Sequence, residues 1–149
     1  MVTEPKFHPV ALRAARERAG LTQHQLAHRL GVAGGERVSR WELGLSTPRA
    51  ESLAELAHVL GIQVDDLLQP PPILPTLRVL RLRYGFGGRD LARRAHMPFA
   101  TYMRWESGSI RHTPSDTSLA PLALALGAEV ALVRTAVDNS RHAAEERSV

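Results

Sequence analysis

A tandem repeat constrains the fold of this chain more than any other feature. The tripeptide Arg-Trp-Glu occurs at residues 40–42 and again at 104–106, each time with a glycine two residues later and a proline further on. Matched residues continue on both sides at an offset of 65 before the tripeptide, 64 at it and 66 after it. Self-similarity over about 60 residues indicates an internal duplication with small changes in loop length. The chain is therefore expected to contain two units of one fold.

Each repeat predicts five short helices and no strand. Thr22 and Gln25 have the spacing of a capping box before a second helix, and Thr47-Pro48 is typical of the start of a fourth. Val38 and Trp41 are three residues apart, which indicates the buried stripe of the third helix. The predicted fold class is all-α.

Proline placement gives the expected domain boundaries. The first residues have two prolines and no apolar period, and consecutive prolines at 70–72 favour a stiff linker of about 3.1 Å per residue, roughly 20 Å in all. We predict a loose N-terminal arm at 1–9, a first domain at 10–69, a linker at 70–75, a second, diverged domain at 76–138 and a frayed tail at 139–149.

Composition argues against several classes of protein. The chain contains no cysteine, which excludes disulfides and thiolate metal sites and suits a cytoplasmic location. Its longest apolar stretch, Leu119–Val133, is interrupted by Pro121 and Glu129 and is too short to span a bilayer, so no membrane partner is expected. His24 and His28 have a possible metal-binding spacing, but without a third ligand nearby we interpret them as exposed polar residues. No catalytic arrangement, cofactor or metal site is predicted.

Several motifs in the first repeat carry a family resemblance. They are Thr22-Gln23-x-x-Leu26-Ala27, Gly31-Val32, Val38-Ser39-Arg40-Trp41-Glu42-x-Gly44, Pro48, and Gly61-Ile62-x-Val64-Asp65-x-Leu67-Leu68. Together they resemble the Xre/Cro/phage-repressor family of helix-turn-helix domains over residues 10–69, and residues 76–137 resemble a more diverged copy. The resemblance implies two tandem five-helix lambda-repressor-like domains. It also implies that the chain binds double-stranded DNA and regulates transcription, as a repressor.

The resemblance implies which residues face DNA. A recognition helix of this kind lies in the major groove, and arginine there pairs with guanine O6 and N7. We therefore expect Arg40 and Arg104 to be the main base-reading residues. A phosphate contact is expected from Gln23, which opens the second helix, and from Arg49, which begins the fourth. The other candidates in the two recognition helices are Gly35, Glu36, Arg37, Ser39, Phe99, Ala100 and Thr101.

Charge is concentrated in the second repeat. Residues 70–112 hold eight arginines against Asp90 and Glu106, a local charge of +6. Arg89, Arg93 and Arg94 crowd its second helix, which favours affinity for phosphate even where base reading is poor.

Competing interpretations remain at several positions. Arg40 and Arg104 could form surface ion pairs, although we favour groove contact. We interpret Trp41 and Trp105 as core residues and Glu42 and Glu106 as structural hydrogen-bond partners.

A second interpretation of the whole chain is that only the first copy reads DNA. The second copy would then mediate homodimerisation or bind a protein partner, in the manner of an antitoxin. The apolar residues Phe99, Tyr102 and Met103 on its recognition helix would suit that role.

Overall fold

A computed structural model describes residues 4–149, and most of these residues are helical. The predicted all-α class is therefore confirmed. The described residues divide into two compact units, Pro5–Pro72 and Ile73–Val149, and Glu4 groups with the second. This division falls inside the segment 70–75 that the prolines indicate as a linker.

The first unit contains four α-helices and one 3₁₀ turn. The helices are α1 (Pro9–Arg18), α2 (Gln23–Arg29), α3 (Glu36–Glu42) and α4 (Ala50–Leu60), and the 3₁₀ turn is Val64–Leu67. The predicted capping box is present, because the Thr22 hydroxyl accepts from Gln25 N at 3.0 Å and Gln25 Oε1 accepts from Thr22 N at 2.9 Å. The fourth helix begins later than predicted, with Arg49 at its N-cap position and Thr47-Pro48 outside the helix.

The N-terminal residues of this unit differ from the predicted arm. Lys6–Phe7 forms a short strand β1 that pairs in antiparallel fashion with β2, Leu68–Gln69. His8 N then donates to Leu67 O at 2.9 Å, and α1 begins at Pro9. The interpretation of 1–9 as a loose arm is therefore wrong for Lys6 to Pro9, because the backbone there is paired. Met1–Thr3 lie outside the described residues.

The second unit is built from five α-helices. They are α5 (Leu77–Arg83), α6 (Gly88–Arg94), α7 (Phe99–Ser107), α8 (Asp116–Leu126) and α9 (Val130–Arg147). The prediction of a frayed tail at 139–149 is wrong as far as Arg147, because α9 continues through it. Ser140 is buried, and its hydroxyl accepts from Leu77 N at 2.9 Å and donates to Ala136 O at 3.1 Å.

Matched positions form the two cores. In the first unit the buried apolar residues include Leu12, Leu26, Ala27, Val38, Trp41, Leu53, Leu56, Ala57, Val64 and Leu67. In the second unit they include Leu77, Leu91, Ala92, Tyr102, Leu119, Leu122, Ala123 and Val133, with Trp105 partly buried against them. Both tryptophans therefore belong to the cores, as predicted.

Among the described residues, no single helix is long and apolar enough to cross a membrane. The pair α8 and α9 reaches the required length and apolarity only when taken together, and the two helices bend by 107° at their break.

Candidate nucleic-acid interface

An ion pair fixes the third helix of the first unit to the first helix. Arg16 Nε donates to Glu42 Oε2 at 2.7 Å and Arg16 Nη2 to Glu42 Oε1 at 2.8 Å, while Arg16 Nη1 donates to Leu21 O at 2.7 Å. The hydrogen bond to Glu42 raises the pKa of Arg16 above its usual value. Glu42, at the last position of α3, is thus a structural hydrogen-bond partner, as predicted. The pair therefore holds the C-terminal end of α3 against α1.

The second unit repeats this arrangement with its own residues. Arg81 Nε lies 3.1 Å from Glu106 Oε2 and Arg81 Nη2 lies 2.8 Å from Glu106 Oε1, while Arg81 Nη1 donates to Phe86 O at 3.0 Å. Burial lowers the pKa of Arg81, but its bonds with Glu106 outweigh burial and the pKa is raised overall. Burial also raises the pKa of Tyr102, and the charge of Glu106 adds to that effect. The interpretation of Glu106 as structural is also confirmed.

The start of α3 lies directly against the start of α2. Gly35 occupies the N-cap position of α3, and a β-carbon there would lie 3.0 Å from His24 N and 3.3 Å from Gln23 Cβ. A side chain at this position would therefore force the two helices apart. Gln23 is half-buried, and its Nε2 lies 3.5 Å from Glu42 Oε1. The structure thus brings Gln23 and Gly35 together at the turn.

The outer face of α3 is polar and open. Glu36, Arg37 and Arg40 are exposed and Ser39 is half-buried, whereas Val38 and Trp41 point into the core. The side chain of Arg40 forms no ion pair or hydrogen bond with any residue that the structure describes. The competing interpretation of Arg40 as half of a surface ion pair therefore finds no support. Its guanidinium remains available to a ligand.

A cleft of about 380 Å³ adjoins this face. Its lining consists of Arg37, Trp41, Thr47, Arg49, Glu51 and Ser52. Two predicted site residues, Arg37 and Arg49, thus flank one opening, with the N-terminus of α4 beside them. Helix N-termini and arginine side chains both attract anions, so this edge suits a phosphate group.

The corresponding face of α7 is less polar. Phe99 is half-buried with its ring centroid 6.5 Å from that of Tyr102, and the guanidinium of Arg89 lies 4.2 Å above the Phe99 ring. Ala100 and Arg104 are exposed and Thr101 is half-buried. Phe99 and Arg89 therefore contact each other, an interaction that no sequence motif predicts.

The arginines of α6 are largely compensated within the helix. Asp90 contacts Arg93, and its Oδ2 accepts from Arg94 Nε at 2.9 Å. These bonds, first that with Arg94, lower the pKa of Asp90. Arg94 also lies over the ring of Phe86, 5.3 Å from its centroid. The open phosphate-binding cluster expected from the sequence therefore carries a carboxylate at its centre.

One basic residue absent from the predicted site is exposed beside α7. Arg111 lies in the loop between α7 and α8, which is one residue longer than the loop between α3 and α4 and falls where the offset between the two repeats rises from 64 to 66. That change of offset was the only sequence signal for it. His24 and His28 are both exposed, and the described residues contain no group of three or more histidine, aspartate or glutamate side chains suited to a metal ion.

Comparison with known proteins identifies the first unit. Residues 12–67 match the family model described as Helix-turn-helix, and this match lies within Pro5–Pro72. A search of curated proteins and a search of solved structures each gave no match. Residues 12–67 of the first unit are therefore similar to helix-turn-helix domains, a type that suggests DNA binding and transcription regulation.

Proposed function

We propose that the chain is a sequence-specific regulator of transcription that binds double-stranded DNA and acts as a repressor in the cytoplasm. The observation that carries this proposal is the open face of α3 in a matched helix-turn-helix domain. Its exposed residues are Glu36, Arg37 and Arg40, with Ser39 at the edge. A bound repressor of this kind would block access of other proteins to its site.

Base reading is assigned to Arg40 and its neighbours. The Arg40 guanidinium has no partner, and the Arg16–Glu42 pair holds the helix that carries it. Little reorganisation is therefore needed for this guanidinium to donate to guanine O6 and N7. Glu36 on the same face suits the N4 amino group of cytosine. Gly35 has no side chain to contribute and serves the close approach of the helices. Gln23 and Arg49 would bind phosphates on either side of the groove.

The second unit is proposed to add an unlike half-site. It repeats the helix order and the buried Arg–Glu pair, and it presents Ala100 and Arg104 on α7. Ala100 suits a thymine methyl group and Arg104 a guanine. One chain would then carry two different recognition helices for major grooves about 34–36 Å apart, the spacing used by dimers of single-domain relatives. An asymmetric operator follows from this.

A protein-interaction role for the second unit is the alternative. The apolar residues that first motivated it are mostly unavailable, since Tyr102 is fully buried and Phe99 half-buried. A different surface favours it, because Leu124 on α8 is 84% exposed where the matched residue of α4 is His58. Ala120 and Pro121 are exposed next to it, and Pro121 replaces Glu55. An exposed apolar strip of this kind suits a homodimer or a partner protein.

Selection of bound duplexes from a randomised DNA pool by the purified full chain tests the proposal. Two unlike half-sites about one helical turn apart, with one chain per site, are expected. A single short half-site, or a palindrome that needs two chains, would favour the alternative. In that case Leu124→Glu should convert a dimer to a monomer in sedimentation, with His58→Glu as the control. Failure to enrich any sequence would contradict both versions.

A further inference from the structure

The arginines of the second unit differ sharply in what they contact. Nine of the eleven arginines in residues 73–149 contact another group of the protein: Arg78, Arg81, Arg83, Arg89, Arg93, Arg94, Arg134, Arg141 and Arg147. The guanidinium groups of Arg104 and Arg111 are exposed and contact no charged, aromatic or hydrogen-bonding group among the described residues. These two are the cations that an external anion can approach without first displacing a partner.

From this difference we propose that the second unit holds the DNA backbone through Arg111, in the loop between α7 and α8, next to base-reading Arg104. The arginines of α6 are not its phosphate contacts. This inference rests on the proposed DNA-binding function and names a binding residue in the second unit. The ligand is a backbone phosphate of duplex DNA.

The loop that carries Arg111 is anchored on both sides. Before it, Ser109 N donates to Arg104 O at 3.0 Å and Ile110 packs partly buried against the core. After it, the Thr113 hydroxyl donates to Asp138 Oδ1 at 2.8 Å. A loop held in this way loses little conformational entropy when its arginine binds a phosphate. The anchors also tie the loop to Arg104, because the carbonyl of Arg104 is the acceptor for Ser109.

The first unit shows what the loop replaces. There Arg49 stands at the N-cap of α4 and lines the cleft with Arg37. At the matched positions the second unit has Ser115, which caps α8 by accepting from Ser118 N at 3.3 Å, and Thr101. Asp116 in the first turn of α8 adds a negative charge that Arg134 pairs at 2.7 Å. The second unit therefore has no arginine at the start of α8 that corresponds to Arg49, and its nearby exposed arginine is Arg111 in the loop before α8.

The α6 arginines are poor candidates for a physical reason. A phosphate that approaches Arg93 or Arg94 also approaches the Asp90 carboxylate between them, which repels it. Arg89 lies 4.2 Å over the Phe99 ring and would have to leave that contact. Breaking these contacts offsets part of the attraction. Arg111 carries no such cost.

The test compares two variants of equal net charge in the full chain. Binding of a fluorescein-labelled duplex of mixed sequence is measured by anisotropy between 50 and 200 mM salt for the wild type, Arg111→Ala and Arg93→Ala. One lost phosphate contact should reduce the slope of log K against log salt by about 0.9. We expect that reduction, with several-fold weaker binding, for Arg111→Ala and an unchanged slope for Arg93→Ala. Arg111→Lys should stay close to the wild type, because a phosphate accepts either cation.

Titration of the selected duplex with Arg40→Ala, beside the salt series, separates this inference from the proposed function. If Arg40→Ala weakens binding to the selected duplex and Arg111→Ala leaves the slope unchanged, the inference fails and the proposed function stands. If Arg93→Ala lowers the slope as much as Arg111→Ala, the effect is one of net charge and the inference fails again. If the wild type binds no duplex, or neither Arg40→Ala nor Arg111→Ala changes binding, the proposed function fails with it.

Discussion

The two units share a buried ion pair but close their cores with different elements. In the first, the backbone before α1 is held by strand pairing of Lys6–Phe7 with Leu68–Gln69 and by the bond from His8 N to Leu67 O. In the second, the 18-residue helix α9 takes this place, and Ser140 on it accepts from Leu77 N. The ion pair holds α3 in the first unit and α7 in the second, whereas the closing element differs. The two units therefore share the contact that holds α3 and α7 and differ in the element that supports them.

The largest effect is expected where the units agree. Glu42→Ala and Glu106→Ala each leave a largely buried arginine without its carboxylate, since the side chains of Arg16 and Arg81 are only 11% and 13% exposed. Removal of one partner of a buried pair costs about 3–5 kcal/mol. Each variant should therefore come close to unfolding its own unit, because a small domain has only about 5–15 kcal/mol of stability.

Each unit contains one tryptophan, which makes this prediction measurable. Denaturant unfolding followed by fluorescence in a Trp105→Phe background reports the first unit through Trp41, and a Trp41→Phe background reports the second through Trp105. Glu42→Gln and Glu106→Gln are the controls, because they keep an acceptor oxygen. A loss below about 1 kcal/mol for either alanine variant would mean that its ion pair does not hold the recognition helix.

A second prediction concerns the point where the units differ. Gly44 and Gly108 are matched residues with φ of 71° and 76°, so alanine at either is strained by about 1–2 kcal/mol. At Gly108 a β-carbon would also lie 2.1 Å from Ser140 O on α9, whereas at Gly44 its nearest neighbour is Pro9 Cγ at 3.6 Å. Gly108→Ala should cost about 1–3 kcal/mol more than Gly44→Ala in the same fluorescence experiment, because α9 must move away. Equal costs would show that α9 does not pack against α7 this closely.

The sequence predicts the parts of this fold that repeat at short range. The spacing of Val38 and Trp41 placed the inner face of α3, and the same periodicity placed Arg40 on its outer face. The packing of α9 against α7 could not be predicted from the sequence. The close approach of Gly108 to Ser140 joins residues 32 positions apart, so no local pattern indicates it. Strands of two residues, such as Lys6–Phe7, have no alternation to detect.

The candidate site was predictable to a similar degree. Motif spacing identified Arg40 and Arg104, which the structure leaves open. Counting charges placed a phosphate-binding cluster on α6, yet the charge of an arginine alone does not say what it contacts. Asp90 engages Arg93 and Arg94 at the i,i+3 and i,i+4 spacings of one helix, which the charge count did not weigh, whereas the ring of Phe99 engages Arg89 through tertiary geometry. Arg111 is not among the predicted site residues, because no sequence motif distinguishes an exposed loop arginine that binds a ligand from one that does not.

A third prediction tests whether both recognition helices read bases. Arg40→Ala and Arg104→Ala should each weaken binding to the selected duplex by about 1–3 kcal/mol and relax specificity at one position, a different position for each variant. The measurement is a repeat of the duplex selection with each variant, together with titration of the wild-type site. A change for Arg40→Ala alone would assign base reading to the first unit and leave the second to backbone contact or to a protein partner.

The smallest expected effect comes from a matched pair in the turns before the recognition helices. His96 has φ of 54°, and the matched residue of the first unit is Gly31, with φ of 71°. A left-handed conformation costs a residue other than glycine about 1 kcal/mol. Glycine avoids this strain, but it also makes the unfolded chain more flexible, which cancels part of the gain in stability. His96→Gly should therefore stabilise the second unit by about 0.5 kcal/mol, and Gly31→His should destabilise the first by about the same amount.

The two turn variants separate backbone strain from side-chain packing. A β-carbon at Gly31 has no heavy atom within 4 Å among the described residues, so no clash at the β-carbon adds to the backbone cost of Gly31→His. Unfolding of each unit, followed through its own tryptophan, gives both values under one set of conditions. If His96→Gly is destabilising, the imidazole must contribute contacts that exceed the strain, and the turn before α7 is then held by its side chain as well as by its backbone. The turn before α7 would then be another place where the two units differ in the contacts that support the same order of helices.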